Sequence, residues 1–192
     1  VPNYSEGRNQ DVKDENSNSN SNTKAVHLLN VDPGNATNRT VMTFVGDPDS
    51  VIEAAYNAIK KASEKIDMSK HKGEHPRFGA TDVCPLIPVS NISFKELIPY
   101  AEKLAKRVYE TLNIPIYLYE YAAKEEKRKN LANVRSGEYE GLKNKKINQN
   151  LIPDYGKKLF NKQSGATIIG VRNLLVAYNI NLNTSSKEIA QN

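Results

Sequence analysis

Arg39-Thr-Val-Met-Thr-Phe-Val-Gly46, followed at once by Asp47-Pro48, decides the fold. The first eight residues are rich in β-branched and aromatic side chains, which predicts a strand over 39–46. Asp47 and Pro48 then supply a helix N-cap and a first-turn proline. Val51, Ile52, Ala55, Ile59, Ala62 and Ile66 follow at helical spacing, so the helix buries one stripe.

The same reading extends outward in both directions. Ala25 to Asp32 reads as a strand and Pro33-Gly34-Asn35 as a turn. Val83 to Val89 reads as a strand whose Pro85 and Pro88 suit an edge position or a bulge, since each removes a ladder donor. Ser93 and Glu96 have the spacing of a capping box. Leu97, Ile98, Ala101, Leu104, Ala105, Val108 and Leu112 mark the core face of the helix it opens. Pro115 to Tyr121 reads as a strand and Lys124 to Leu131 as a short charged helix. Arg135 to Gly165 is polar and irregular, in the manner of a binding loop. Ala166 to Val171 and Leu174 to Leu182 are two β-rich runs. The sum is an α+β fold: a two-layer sandwich with a mixed β-sheet and helices on one face, ferredoxin-like in character. The Asn/Ser tract at 11–23 has no apolar stripe and reads as a flexible loop.

Composition narrows the class. A chain of 192 residues is one domain's length, with enough sequence for a real core. No apolar run approaches the roughly 20 residues of a membrane helix, and the opening residues do not form a signal peptide. They also lack a Met, as a piece of a longer chain would. The single Cys84 precludes an internal disulfide framework and favours the cytoplasm. Sequons at Asn35, Asn38 and Asn91 carry little weight outside a secretory context. The formal net charge of +5 is compatible with an anionic partner. The basic runs Lys124–Lys129 and Lys143–Lys146 read as solvated faces, and no aromatic residues interleave with them as a nucleic-acid platform needs.

The chemistry concentrates in Asp67-Met-Ser-Lys-His-Lys-Gly-Glu-His-Pro-Arg-Phe-Gly-Ala-Thr-Asp82. Histidine exchanges protons near neutral pH, and His71 and His75 stand here among fixed charges. Spacing of i, i+4 is that of a metal pair, but Lys72-Gly73-Glu74 opposes a helix and no third ligand is evident, so no metal is expected. Neither a G-x-S-x-G elbow nor a glycine-rich phosphate cradle occurs. What remains is a proton-transfer histidine, His75, in a glycine-punctuated basic site suited to a carboxylate-bearing substrate. Arg39, Arg77 and Arg135 are candidate anchors, and Asp32 a candidate orienting or proton-accepting partner of His75, although a plain turn aspartate is an equal reading.

Several segments together resemble one family. Val1-Pro-Asn-Tyr-Ser-Glu-Gly-Arg8, Val31-Asp32-Pro-Gly, Asn38-Arg39-Thr-Val, the histidine loop, Pro115-Ile-Tyr-Leu-Tyr119, Arg135-Ser-Gly-Glu-Tyr-Glu-Gly141 and Pro153-Asp-Tyr-Gly156 look like the N-terminal subdomain of glutamate formiminotransferase, in the same order. The resemblance implies transfer of a formimino group from N-formimino-L-glutamate to tetrahydrofolate, late in histidine breakdown, with His75 as base and no metal. It implies that folate binds at Gly156, Lys157, Lys158, Leu159, Phe160, Asn161, Lys162, Gln163, Ser164 and Gly165. Residues 1–182 would form that subdomain, and 183–192 a tail or linker towards a C-terminal subdomain that forms the opposite wall of the folate cleft. A cytoplasmic homo-oligomer without nucleic-acid or membrane partners is expected. Formyl transfer from N-formylglutamate and a non-catalytic folate-binding role are the alternatives. The family carries an amphipathic helix where this chain has 11–23, and no cyclodeaminase segment is represented.

Overall fold

The computed structural model describes residues 1–11, 14, 25–142, 152–156, 160–176, 183, 184, 186, 188 and 189. Six strands form one mixed sheet: β1 (Asn3–Tyr4), β2 (Val26–Gly34), β3 (Arg39–Gly46), β4 (Thr81–Leu86), β5 (Ile116–Glu120) and β6 (Thr167–Val171). Their order is β2-β3-β1-β4-β6-β5, with β4, β6 and β5 parallel and the others antiparallel. The helices that bear on the fold are α1 (Pro48–Lys65), α2 (Phe94–Leu112), and the short α3 (Leu131–Arg135) and α4 (Glu138–Gly141). The architecture is the α+β sandwich that the strand and helix patterns predict.

Each long helix starts where its cap residues place it. The Asp47 carboxylate accepts from the Ser50 amide ahead of Pro48, and Ser93 and Glu96 close a reciprocal capping box. Such caps are worth about 1 kcal/mol each. Ile52, Ala55 and Ile59 from α1 meet Leu97, Ala101, Leu104 and Val108 from α2 over Phe44, Cys84, Leu86, Ile116, Leu118 and Ile169 of the sheet. Each fully buried Leu or Ile contributes roughly 1.5–3 kcal/mol by leaving water.

Strand alternation sends the intervening residues to the opposite face. There Val83, Tyr117, Tyr119 and Ile168 pack with Phe78 and with Val134 of α3. The two long helices share one face, and α3 covers part of the second. The rest of that second face is where the candidate site lies.

Several local expectations shift. The turn expected at 33–35 falls later, because β2 continues through Pro33 and Gly34. Pro85 lies not on an edge but in β4, between β1 and β6. Its carbonyl accepts from the Val1 nitrogen at 3.0 Å. A residue's N–H and C=O point the same way from a strand, so the missing donor faces the side where two-residue β1 has ended. The charged segment 124–131 is a 3₁₀ turn at Glu126–Arg128 rather than a helix, and the helix begins at Leu131. Arg128 within it is buried, not solvated, with its guanidinium 2.5 Å from Asp154. Leu174, Leu175 and Val176 are exposed and outside any strand, and the remainder of that run lies outside the described residues. So do residues 143–150 and most of 11–23.

Candidate active site

The histidine loop, residues 67–80, joins α1 to β4 and lies against the 36–38 turn between β2 and β3. The Glu74 amide donates to the Ala36 carbonyl at 3.4 Å, and Asn38 donates through Nδ2 to the Lys72 carbonyl at 3.0 Å. Gly73 is required by this closeness rather than by an unusual backbone angle: a Cβ there would stand 2.3 Å from the Thr37 carbonyl oxygen.

His75 is half-buried, and its Nδ1 lies 2.6 Å from the Pro76 carbonyl oxygen. A carbonyl only accepts, so Nδ1 carries the hydrogen and the lone pair resides on Nε2. Burial depresses its pKa below 6.5, and the positive charges of Arg39 and Arg135 depress it further, with the Pro76 bond and Asp82 opposing. At neutral pH His75 is therefore a neutral ring with a base at Nε2.

Asp82 organises those charges. Fully buried at the head of β4, it accepts from the Phe78 amide at 2.8 Å, from Arg39 at 2.5 Å and from Arg135 at 2.7 Å. Arg39 also donates to Asn3 Oδ1 at 2.9 Å. Asn3 pairs with Val41 on β3 and Val83 on β4, and alternation puts Arg39 on the same, helix-free face as Val41. Two guanidiniums on one carboxylate leave one net positive charge beside His75. That surplus suits one anionic group of a substrate.

Arg77 has a different occupation. Nε donates to His71 Nδ1 at 3.3 Å, Nη1 to Glu138 at 2.9 Å and Glu140 at 2.8 Å, and Nη2 to the His71 carbonyl at 3.3 Å and Glu140 at 2.6 Å. All five guanidinium hydrogens are used. Arg77 therefore has no donor left over for the anchoring expected of it. His71 Nε2, in turn, donates to the Asn38 carbonyl at 3.0 Å. Both its ring nitrogens are engaged within the loop.

Asp32 pairs with Val41 on the helix-free face, and its carboxylate is exposed. The Pro76 carbonyl, not Asp32, orients the His75 ring. Within 156–165, residues 157–159 lie outside the described residues. The rest adjoins the exit of the histidine loop: Ala80 N donates to the Ser164 carbonyl at 2.8 Å, and Ala166 N to the Phe78 carbonyl at 3.1 Å. Gly165 has φ +67°, and a Cβ there would stand 2.4 Å from the Phe78 carbonyl oxygen. Tyr139 of α4 bridges the two by donating to the Lys162 carbonyl at 2.5 Å and stacking obliquely on Phe160.

Sequence reasoning passed over Asp82, Asn38, Glu138 and Glu140. A signal for Asp82 was present: a carboxylate directly before the apolar run Val83 to Val89 enters the core with it, and a buried carboxylate is seldom left unpaired. Among the described residues no helix is long and apolar enough to cross a membrane.

An orientable base and a pair of guanidiniums sharing one buried carboxylate thus lie on the face of the α+β sheet opposite the two long helices. The chain belongs to the formiminotransferase domain family, whose N-terminal subdomain profile matches residues 1–172. It is 50% identical over 190 residues to formimidoyltransferase-cyclodeaminase of Mus musculus, covering 99% of this chain and 35% of that protein. It is 44% identical to glutamate formimidoyltransferase of Streptococcus pyogenes serotype M1, covering 99% of this chain and 64% of the relative. The match to glutamate formimidoyltransferase of Thermoplasma acidophilum is 43% identical over 100% of this chain and 63% of the relative. The chain thus spans about a third of the length of the cyclodeaminase-bearing relatives and just under two thirds of the others.

Proposed function

We propose that this chain carries the base and donor-binding wall of a transferase that moves the formimino group of N-formimino-L-glutamate to tetrahydrofolate, a step of histidine breakdown and one-carbon metabolism. The observation that carries the reading is His75, with Nδ1–H held by the Pro76 carbonyl and its ring within the electrostatic influence of the Arg39–Asp82–Arg135 cluster. That the Streptococcus and Thermoplasma relatives are glutamate formimidoyltransferases supports the choice of donor.

In this reading Arg39 and Arg135 hold a carboxylate of the donor. Folate N5 attacks the amidine carbon while His75 Nε2 takes the N5 proton, giving a tetrahedral intermediate. His75 then returns the proton to the departing glutamate nitrogen as the carbon–nitrogen bond breaks, so the proton count closes within one histidine. Products are 5-formiminotetrahydrofolate and glutamate. Asp32, exposed on the same face, keeps the proton-accepting half of its expected role. Folate lies along 156–165, and a C-terminal formiminotransferase subdomain supplies the opposite wall, in a homo-oligomer in the cytoplasm.

The test is transfer by the full-length protein to tetrahydrofolate, with N-formimino-L-glutamate and N-formyl-L-glutamate assayed in parallel. Turnover with the formimino donor, and a loss of 10²-fold or more in His75→Ala, is the expected result. Turnover only with the formyl donor reassigns the substrate, and inactivity with both removes the transferase reading.

A further inference from the structure

Arg77 is the one cation of the histidine loop with no donor left over, and what it binds is specific. Its side chain holds both carboxylates of α4, Glu138 and Glu140. Its carbonyl accepts from the Tyr139 amide at 3.0 Å, so backbone and side chain grip the same turn of chain. That turn follows directly on Arg135, the second guanidinium on Asp82. In the other direction Arg77 lies two residues beyond His75 and fixes the His71 ring through Nδ1 and its carbonyl. His71 in turn donates to Asn38, the residue before Arg39. Asn38 itself has φ +48° and is buried, accepting from the Gly7 amide at 3.0 Å.

Both arginines of the anion site are therefore tied back to one side chain, Arg39 by way of Asn38 and His71, and Arg135 by way of α4. Beneath α4 the non-glycine Glu138 holds φ +51°, next to Gly137 at +79°, an angle that glycine adopts freely. A non-glycine residue at such an angle persists only where surrounding contacts hold it. The two carboxylate contacts of Arg77 act here together with the Tyr139 amide on the Arg77 carbonyl and the Gly141 amide on the Gly137 carbonyl, at 3.0 and 2.7 Å.

We infer that Arg77 is a positioning residue, which sets the distance between the His75 base and the Arg135 guanidinium through its clamp on Glu138 and Glu140 and its bond to His71. A general base and an anion anchor on separate segments need such a coupling, because a misplacement of about 1 Å can cost on the order of 10²-fold in rate. Lysine cannot replace it: one ammonium has three donors and no fork for two carboxylates.

The inference rests on the proposed transfer only for its kinetic consequence, so the test has an arm that needs no substrate. In the full-length protein with ¹⁵N-labelled histidine and arginine, Arg77→Met is expected to turn the single Nδ1–H form of His75 into a mixture of tautomers. The Arg135 Nε–H should exchange with solvent at least tenfold faster. Glu140→Gln, at an exposed position that does not threaten folding, should show the same changes in weaker form. Unchanged His75 and Arg135 signals in Glu140→Gln and in a folded Arg77→Met overturn the inference, whatever the catalytic activity. In the kinetic arm, Arg77→Met should raise KM for the donor about tenfold in the wild-type background, leave KM for tetrahydrofolate within twofold, and add little in an Arg135→Ala background. Fully additive losses in that double-mutant cycle also overturn it, since they mean Arg77 does not act through Arg135. Absence of turnover in the wild type bears on the transfer reading alone.

Discussion

Arg39 and Arg135 meet on a single oxygen, Oδ2 of Asp82, at 2.5 and 2.7 Å. One arrives from β3 and the other from the end of α3, so the contact joins the sheet to the chain segment that covers its second face. Asp82 is fully buried, with its other oxygen taken by the Phe78 amide. The cluster is a structural rivet and the source of the net positive charge beside His75.

Asp82→Asn should therefore destabilise the fold. It leaves two guanidiniums facing each other without a counter-charge, and loss of one partner from a buried ion cluster costs about 3–5 kcal/mol. Urea unfolding at pH 7.5 measures this directly. A loss below about 1 kcal/mol would mean that solvent reaches the cluster and that the carboxylate is not the rivet described, because exposed pairs fall in that range.

His75 gives a prediction about pH with a definite sign. Burial first, then the charges of Arg39 and Arg135, hold its pKa below 6.5, and the base must be neutral to act. The acid limb of the kcat/KM profile should have its half-point below 6.5, on the acid side of an ordinary histidine. Arg135→Ala removes one depressing charge, so its acid limb should move to higher pH even as donor affinity drops. A limb that stays put, or moves the other way, assigns the titration to another group.

The frame of this molecule was written locally, and its site was not. Strand β3 ends at the residue where the β-formers stop, and α1 and α2 start at Asp47-Pro48 and at Ser93 because caps act within four residues. Such signals need no knowledge of the rest of the chain. Pro85 misled for the opposite reason: its missing donor is harmless only because β1 is two residues long, a fact of pairing that β4 itself does not encode. Arg128 likewise sits in a run of charges that looks solvated, yet Asp154 and the Tyr117 ring draw it inside. His75 was legible from its neighbours Gly73, Pro76 and Arg77. That Arg77 would be spent on Glu138 and Glu140 was not, since nothing near it in sequence shows that α4 folds back onto the loop.

Gly73→Ala tests the packing of that loop. The added Cβ meets the Thr37 carbonyl oxygen at 2.3 Å, and backbone cannot yield as a flexible side chain can. Overpacking of this kind costs about 1–3 kcal/mol. Displacement of the loop should lower transfer more than tenfold while the far-ultraviolet dichroism of the sheet and long helices stays intact. Wild-type activity with a wild-type melting temperature would show that the 36–38 turn is not pressed against the loop.

His71 supplies a stability counterpart. Its Nδ1 accepts from Arg77 and its Nε2 donates to the Asn38 carbonyl, so a second ring proton would oppose the Arg77 Nε–H. Burial and the Arg77 charge accordingly depress its pKa below 6.5, as burial also does for His75. Between those depressed values and 6.5 the unfolded chain binds more protons than the folded one, so stability rises with pH across that window. Equivalently, it is full above 6.5 and is lost as the pH falls towards the folded values. Unfolding free energy measured at pH 7.5 and at 5.5 should be lower at 5.5, where ordinary carboxylates, with pKa values near 4, are still ionised. His71→Gln retains a donor and an acceptor without the titration, so it should remove part of the difference, and His71→Gln with His75→Gln most of it. If the double variant keeps the full wild-type dependence, neither histidine is held neutral by the fold.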